Sequence, residues 1–185
     1  MRRISLLFLY LLTGISTIKA QDRYLTKTGR VSFYSVAPLE DIEGHHRSVT
    51  AVLDTKAGSL QFLLLINGFE FDKALMQEDF NEEYLESPKY PKAEFKGVIT
   101  NNSTITYQKE GDYPARVKGM LSIHGETKEL EASGKVIVKD GKILMNAVFN
   151  ILLSDFKVPI AKLVRDKISN RVKITLDATL EPLKS

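Results

Sequence analysis

At 185 residues, with 43% apolar side chains and no cysteine, the chain is long enough for one domain with its own core, and it can form neither a disulfide nor a thiolate nucleophile. The formal charge of +3 comes from 26 basic and 23 acidic residues; Arg2, Arg3 and Lys19 stand near the start with no acid among the first twenty, so the rest balances at 23 against 23. Without a basic surplus to neutralise phosphates, a nucleic-acid partner is not expected.

Arg2 and Arg3 precede an apolar run from Ile4 to Leu12, and small and polar residues then lead to Ala20. That order reads as a secretory signal peptide over residues 1–20, with a mature domain over 21–185 that is exported to the periplasm or secreted. No cysteine is present to carry a lipid anchor, and no later segment approaches the roughly 20 apolar residues of a membrane helix, so stable membrane insertion is not expected.

From Arg30 onward short runs alternate with period two between turn residues, the pattern of a largely antiparallel β domain. Val31 and Phe33 share a face, as do Val49, Ala51 and Leu53, and then Leu60, Phe62, Leu64 and Ile66. Residues 72–85 break the rhythm: they are rich in helix formers, and Met76, Phe80 and Tyr84 fall four apart on one helical face. Phe95 and Ile99, Ile105 and Tyr107, and Val117, Leu121 and Ile123 resume the alternation, with Gly97 and Gly119 on the same faces as sites for bends. Asp140-Gly141 between two alternating runs predicts a two-residue hairpin turn. Pro159–Ser169 reads as a second short helix, with Ile160, Leu163, Val164 and Ile168 as its stripe, and Val172–Leu180 as a final strand ended by Pro182. The expected fold is mainly β, with about eight antiparallel strands and two short helices. Strand pattern alone leaves a sandwich and a barrel open; apolar residues on both faces of the third run, Leu63 and Leu65 opposite Leu60 and Phe62, favour a barrel.

Residues that could carry chemistry are few. His45 and His46 are adjacent, so on a strand they point to opposite faces and make a poor metal pair. His124 stands before Gly125, where a turn-facing histidine needs no function. Glu78, Asp79, Glu82 and Glu83 read as the wet face of the helix rather than an acid–base pair, and Asn101-Asn102-Ser103-Thr104 reads as a turn. No nucleophile elbow, P-loop or G-x-G-x-x-G is present. No catalytic or metal-binding residue and no cofactor are therefore assigned.

Four runs carry a resemblance: TGRVSFYSVAPLEDIEG at 28–44, NGFEFDKALMQEDFNEEYLESPKYPKAEFKG at 67–97, HGETKEL at 124–130 and SDFKVPIAKLVRDKISNRVKITLDATL at 154–180. In order and content they resemble the YceI-like family, over nearly the whole of 21–185. The resemblance implies a lipocalin-like barrel around an extended polyisoprenoid, in a periplasmic protein. Members often carry His before the Phe-Asn of the helix; here Asp79 takes that place.

On this reading the protein is not an enzyme. It binds, carries or stores a long isoprenoid lipid, whether polyisoprenoid, quinone or quinone precursor. The expected lining is Phe33, Phe62, Phe69, Phe71, Met76, Phe80, Phe95, Met145, Phe149 and Phe156, with about half of the aromatic set Phe62, Phe69, Phe71, Phe80, Tyr84, Tyr90, Phe95, Phe149 and Phe156 facing a cavity and half packing the core. Two rivals stand beside it. One is an enzyme acting on a barrel-bound lipid, with Asp155, Lys157 and Arg165 as its nearest polar candidates; the other is a structural or partner-binding barrel with a filled interior. Oligomeric state, including a homodimer, is left open.

Overall fold

A computed structural model describes residues 22–36, 41–160 and 168–183. The strands are β1 (Arg23–Val36), β2 (Asp41–Asp54), β3 (Ser59–Leu65), β4 (Phe69–Glu70), β5 (Lys92–Ile99), β6 (Gly111–Ile123), β7 (Glu126–Lys139), β8 (Lys142–Leu152) and β9 (Arg171–Pro182). All pairings are antiparallel, and β1 bonds to both β9 and β2, so the sheet closes on itself. The result is an eight-stranded barrel with β4 as a two-residue addition whose strand pairing is with His45 and His46 of β2. Closure leaves no strand wholly at the edge of an open sheet.

Turn chemistry sets the hairpins. Asp140 and Gly141 have φ of 51° and 71°, and His124 and Gly125 have 51° and 77°. Both two-residue turns thus have the left-handed backbone that matches strand twist, with glycine in the second position. β1 begins at Arg23, earlier than its alternation suggests, because register shifts around Gly29 break the period on that strand. Residues Ile105 and Tyr107, expected on a strand, belong instead to the connection between β5 and β6. Both are buried, with Ala51, Leu53, Ile143 and Leu180, in the plug that fills one end of the barrel. There the Tyr107 hydroxyl donates to Asn102 Oδ1 at 2.7 Å, and burial pushes its pKa up to about 12. Leu65 projects into solvent at 56% exposure, so it adds nothing to the interior.

The first expected helix is present but short: α1 (Ala74–Asp79) widens into a π turn over Phe80–Tyr84. The second falls mostly on residues 161–167, outside the described residues; its described flanks are not helical. Among the described residues no helix is long and apolar enough to cross a membrane.

Candidate ligand cavity

Between the plug and α1 the barrel encloses a cavity of about 520 Å³, within the range of small-molecule sites. Its volume has a sequence cause. Ala115 of β6 pairs with Gly134 of β7, which pairs with Ala147 of β8, and Ala132 lies one inward position beyond. All four face the cavity, so three neighbouring strands contribute almost no side chain where an ordinary barrel would pack its core. Gly97 and Gly119 oppose each other on β5 and β6, and a Cβ on either would meet the Phe95 ring at 2.6 or 2.8 Å. This pair gives the ring a bed against the wall instead of bending the strands.

All ten residues expected as lining stand in the cavity wall: Phe33, Phe62, Phe69, Phe71, Met76, Phe80, Phe95, Met145, Phe149 and Phe156. Of the wider aromatic set only Tyr90 does not line it; that ring packs edge-on against His124 with centroids 4.5 Å apart. The even split between lining and packing therefore undercounts the lining, because room made by Ala and Gly across the barrel lets the rings face open space. The small residues Ala115, Ala132, Gly134 and Ala147 are the part that sequence reasoning missed. Their signal is Ala or Gly recurring at inward positions of strands, where β-branched residues are usual.

Under α1 the rings interlock. Phe33 and Phe80 stack at 5.4 Å and 15°, Phe69 meets Phe33 edge-on at 5.4 Å, and Phe71 lies 5.0 Å from Phe80. Gly44 pairs with Phe33, and a Cβ there would collide with that ring.

Polar residues in the wall are few. Glu94, Lys135 and Asn146 touch the cavity, but their polar atoms are engaged elsewhere: Glu94 accepts from Gln61 and Lys96, Lys135 reaches Asp112, and Asn146 donates to Asp177. Ser35 also stands in the wall, its Oγ accepting from the Ser169 N–H at 3.1 Å, and Lys73, Asp79 and Tyr84 line it on or beside α1. Burial raises the Tyr84 pKa, with the charges of Asp79 and Glu83 adding to it. Of the helix carboxylates, Glu78, Glu82 and Glu83 are exposed, whereas Asp79 is half-buried and lines the cavity.

His46 departs from the surface or turn role expected of it, and His124, although it stands in the expected turn, is buried. His46 is 3% exposed; its Nε2 donates to the Leu65 carbonyl at 3.0 Å and its Nδ1 accepts from the Ser48 N–H at 3.1 Å, a pattern only the neutral ring satisfies. Burial lowers its pKa accordingly. Gly68 makes room for this ring. His124 is 8% exposed, and its two nitrogens face the Phe156 carbonyl at 3.2 Å and the Glu86 carboxylate at 2.7 Å. The bond from His124, with Lys89 nearby, holds the Glu86 carboxyl below the usual carboxylate range. Apart from Ser48, these partners of the two histidines are 19 to 38 residues away in the chain, beyond the reach of local pattern. His45 does behave as a surface residue, beside Glu43 at 3.6 Å.

The remaining polar candidates do not converge. Asp155 is exposed, Lys157 is exposed and pairs with Glu126 at 2.7 Å, and Arg165 lies outside the described residues. Among the described residues no three His, Cys, Asp or Glu side chains are grouped to hold a metal ion. Asn101 closes the turn through Thr104 Oγ1 and the Pro114 carbonyl, in keeping with the turn expected there.

No curated protein matches the chain by sequence. A polyisoprenoid-binding domain from Saccharophagus degradans superposes with a TM-score of 0.76 at 15% identity, covering 89% of this chain and 100% of that one. BcnA of Burkholderia cenocepacia gives 0.68 at 19%, covering 82% and 95%, and a Campylobacter jejuni YceI protein gives 0.59 at 17%, covering 80% and 88%. At such identities these matches speak for the fold. The YceI-like domain profile matches residues 24–180, and the chain belongs to the YceI-like family.

Proposed function

We propose that the protein binds a long apolar isoprenoid lipid inside its barrel and carries or stores it after export, without transforming it. The observation that carries this reading is a cavity of about 520 Å³ walled almost wholly by apolar side chains, with Asp79 and Tyr84 at the end capped by α1. That layout suits a guest with a long hydrocarbon tail and a small polar head, tail toward the plug and head toward Asp79 and Tyr84. The Saccharophagus domain is described as polyisoprenoid-binding, which supports the same ligand class here. A quinone, a quinone precursor and a simple prenol all have that layout.

Affinity would come from burial. About twenty buried carbons at about 0.8 kcal/mol each give about 16 kcal/mol gross, against an association cost of about 4 to 15 kcal/mol, so short chains should bind poorly. The unfilled interior is what a purely structural barrel would lack.

The test is native mass spectrometry of protein purified from its own host, followed by titration of delipidated protein with prenyl compounds of graded length. Affinity should climb with each isoprene unit and then level off once the cavity is full. Equal affinity at every length, or discrimination by head group alone, would refute binding inside the barrel. Export is tested by sequencing the N-terminus of protein from the periplasmic fraction, which should begin at or near Gln21.

A further inference from the structure

The ladder between β7 and β8 stops halfway. It runs from Lys139 opposite Lys142 to Gly134 opposite Ala147 and ends there, although β7 extends back to Glu126 and β8 onward to Leu152. The outer neighbours do not part: β6 stays paired with β7 as far as Ile123 opposite Glu126, and β9 stays paired with β8 as far as Arg171 opposite Leu152. Residues 126–133 and 148–152 are therefore the lips of a seam, two strand segments that face each other without pairing while each stays bonded to its outer neighbour. Both lips belong to the cavity wall, through Leu130 and Ala132 on one side and Phe149 and Ile151 on the other, and all four are only half-buried.

The seam is bridged at its far end. After β8 the chain makes a tight turn over Leu153–Phe156, with Lys157 in the left-handed region at φ 52°, and crosses back toward the start of β7. Two side chains fasten this turn to the opposite lip: His124 donates to the Phe156 carbonyl, and Lys157 donates to Glu126 at 2.7 Å. Phe156 and Val158 of the turn are buried and line the cavity.

We propose that this seam is a lateral portal through which a long apolar guest enters and leaves the barrel, with the turn at 153–158 as a strap across its outer end. The proposal rests on the reading of the barrel as a lipid binder. Entry past α1 would require parting the interlocked rings of Phe33, Phe69, Phe71 and Phe80 along the full length of the guest. Sideways entry needs only separation of two strands that share no hydrogen bonds along the lips, while the strap keeps the barrel from unzipping further.

Amide hydrogen exchange on protein without added lipid reads the seam directly. In an antiparallel strand alternate amides face opposite neighbours, so every second amide over 126–133 points away from β6, and over 148–152 away from β9. Those amides should exchange at least about tenfold faster than the ones bonded to β6 and β9. Equal protection along both lips would mean that they zip together in solution, and would overturn the portal whatever the barrel binds.

The second arm closes the seam chemically. Continuing the register of Gly134 with Ala147 sets the outward-facing Glu131 and Asn150 opposite each other, and the chain has no cysteine of its own. The pair Glu131→Cys and Asn150→Cys, joined by a bis-methanethiosulfonate whose reach exceeds that of a disulfide, should slow release of a dansyl-tagged long-chain prenol at least about tenfold. Reductant should restore the original rate, and each single variant treated alike should keep it. Release from the stitched barrel as fast as from the open one overturns the portal. A prenol that binds none of these proteins refutes the lipid reading instead, and the amide pattern then decides the seam by itself.

Discussion

Filling the cavity from its own wall separates binding from stability. Ala147 sits beside the bare Cα of Gly134, a surface like the one Gly97 and Gly119 offer to the Phe95 ring, so Ala147→Phe can lay its ring over Gly134 without moving a strand. The phenyl group adds about six carbons to the cavity, and displacing that many guest carbons at about 0.8 kcal/mol each removes about 5 kcal/mol of gross burial. If the guest recovers half by shifting toward the α1 end, about 2.5 kcal/mol is lost, or about sixtyfold in Kd. In a packed core the same substitution would cost about 1 to 3 kcal/mol of stability, whereas here a void is filled and Tm should hold or rise. Titration with graded prenyl compounds and thermal melting of the lipid-free protein are the two assays, and the affinity plateau should move to shorter chains. A clear fall in Tm would show that no room exists beside Ala147, and an unchanged Kd in a folded variant would place the guest outside the barrel.

Phe80→Asp puts an unpartnered charge among the rings of Phe33, Phe69 and Phe71 and should weaken every long prenyl ligand by at least about tenfold; circular dichroism checks that the variant folds. Tyr107→Phe leaves Asn102 Oδ1 without its hydroxyl donor and should cost about 1 to 2 kcal/mol in urea unfolding, with prenyl affinity unchanged because Tyr107 belongs to the plug. His46 ties stability to acid. Burial lowers its folded pKa, so below the ordinary imidazole value of about 6.5 the unfolded chain holds more protons than the folded one, and stability falls as pH drops through that range. The urea midpoint should decline from pH 7 to pH 5 in the native protein and decline less in His46→Gln; parallel declines would clear His46 of the effect.

Much of this architecture is legible in the order of the amino acids. Asp140-Gly141 marks its hairpin because only a few residue pairs accept two left-handed conformations in succession, and the inward Phe and Met positions follow from period two. What escapes depends on pairing across the sheet. Ala115, Gly134 and Ala147 look like weak strand residues one at a time, and become a cavity wall only when register sets them side by side. His46 and His124 look superficial because their partners Leu65, Glu86 and Phe156 come from distant segments. Ile105 and Tyr107 mimic a strand because a short segment inserted into a core alternates as a strand does, although it bonds to none. The halt of the β7–β8 ladder at Gly134 leaves no mark on either strand's own alternation.

The plug has a consequence for how such barrels diversify. The inward stopper is built partly by a connection, with Ile105 and Tyr107 hanging from the segment between β5 and β6, and that segment takes no part in the strand ladder. Depth is thus set by a replaceable cork while the staves keep their register. Lengthening or trimming this loop by a residue or two would retune the size of guest admitted without a new fold, so capacity and architecture can evolve as separate quantities.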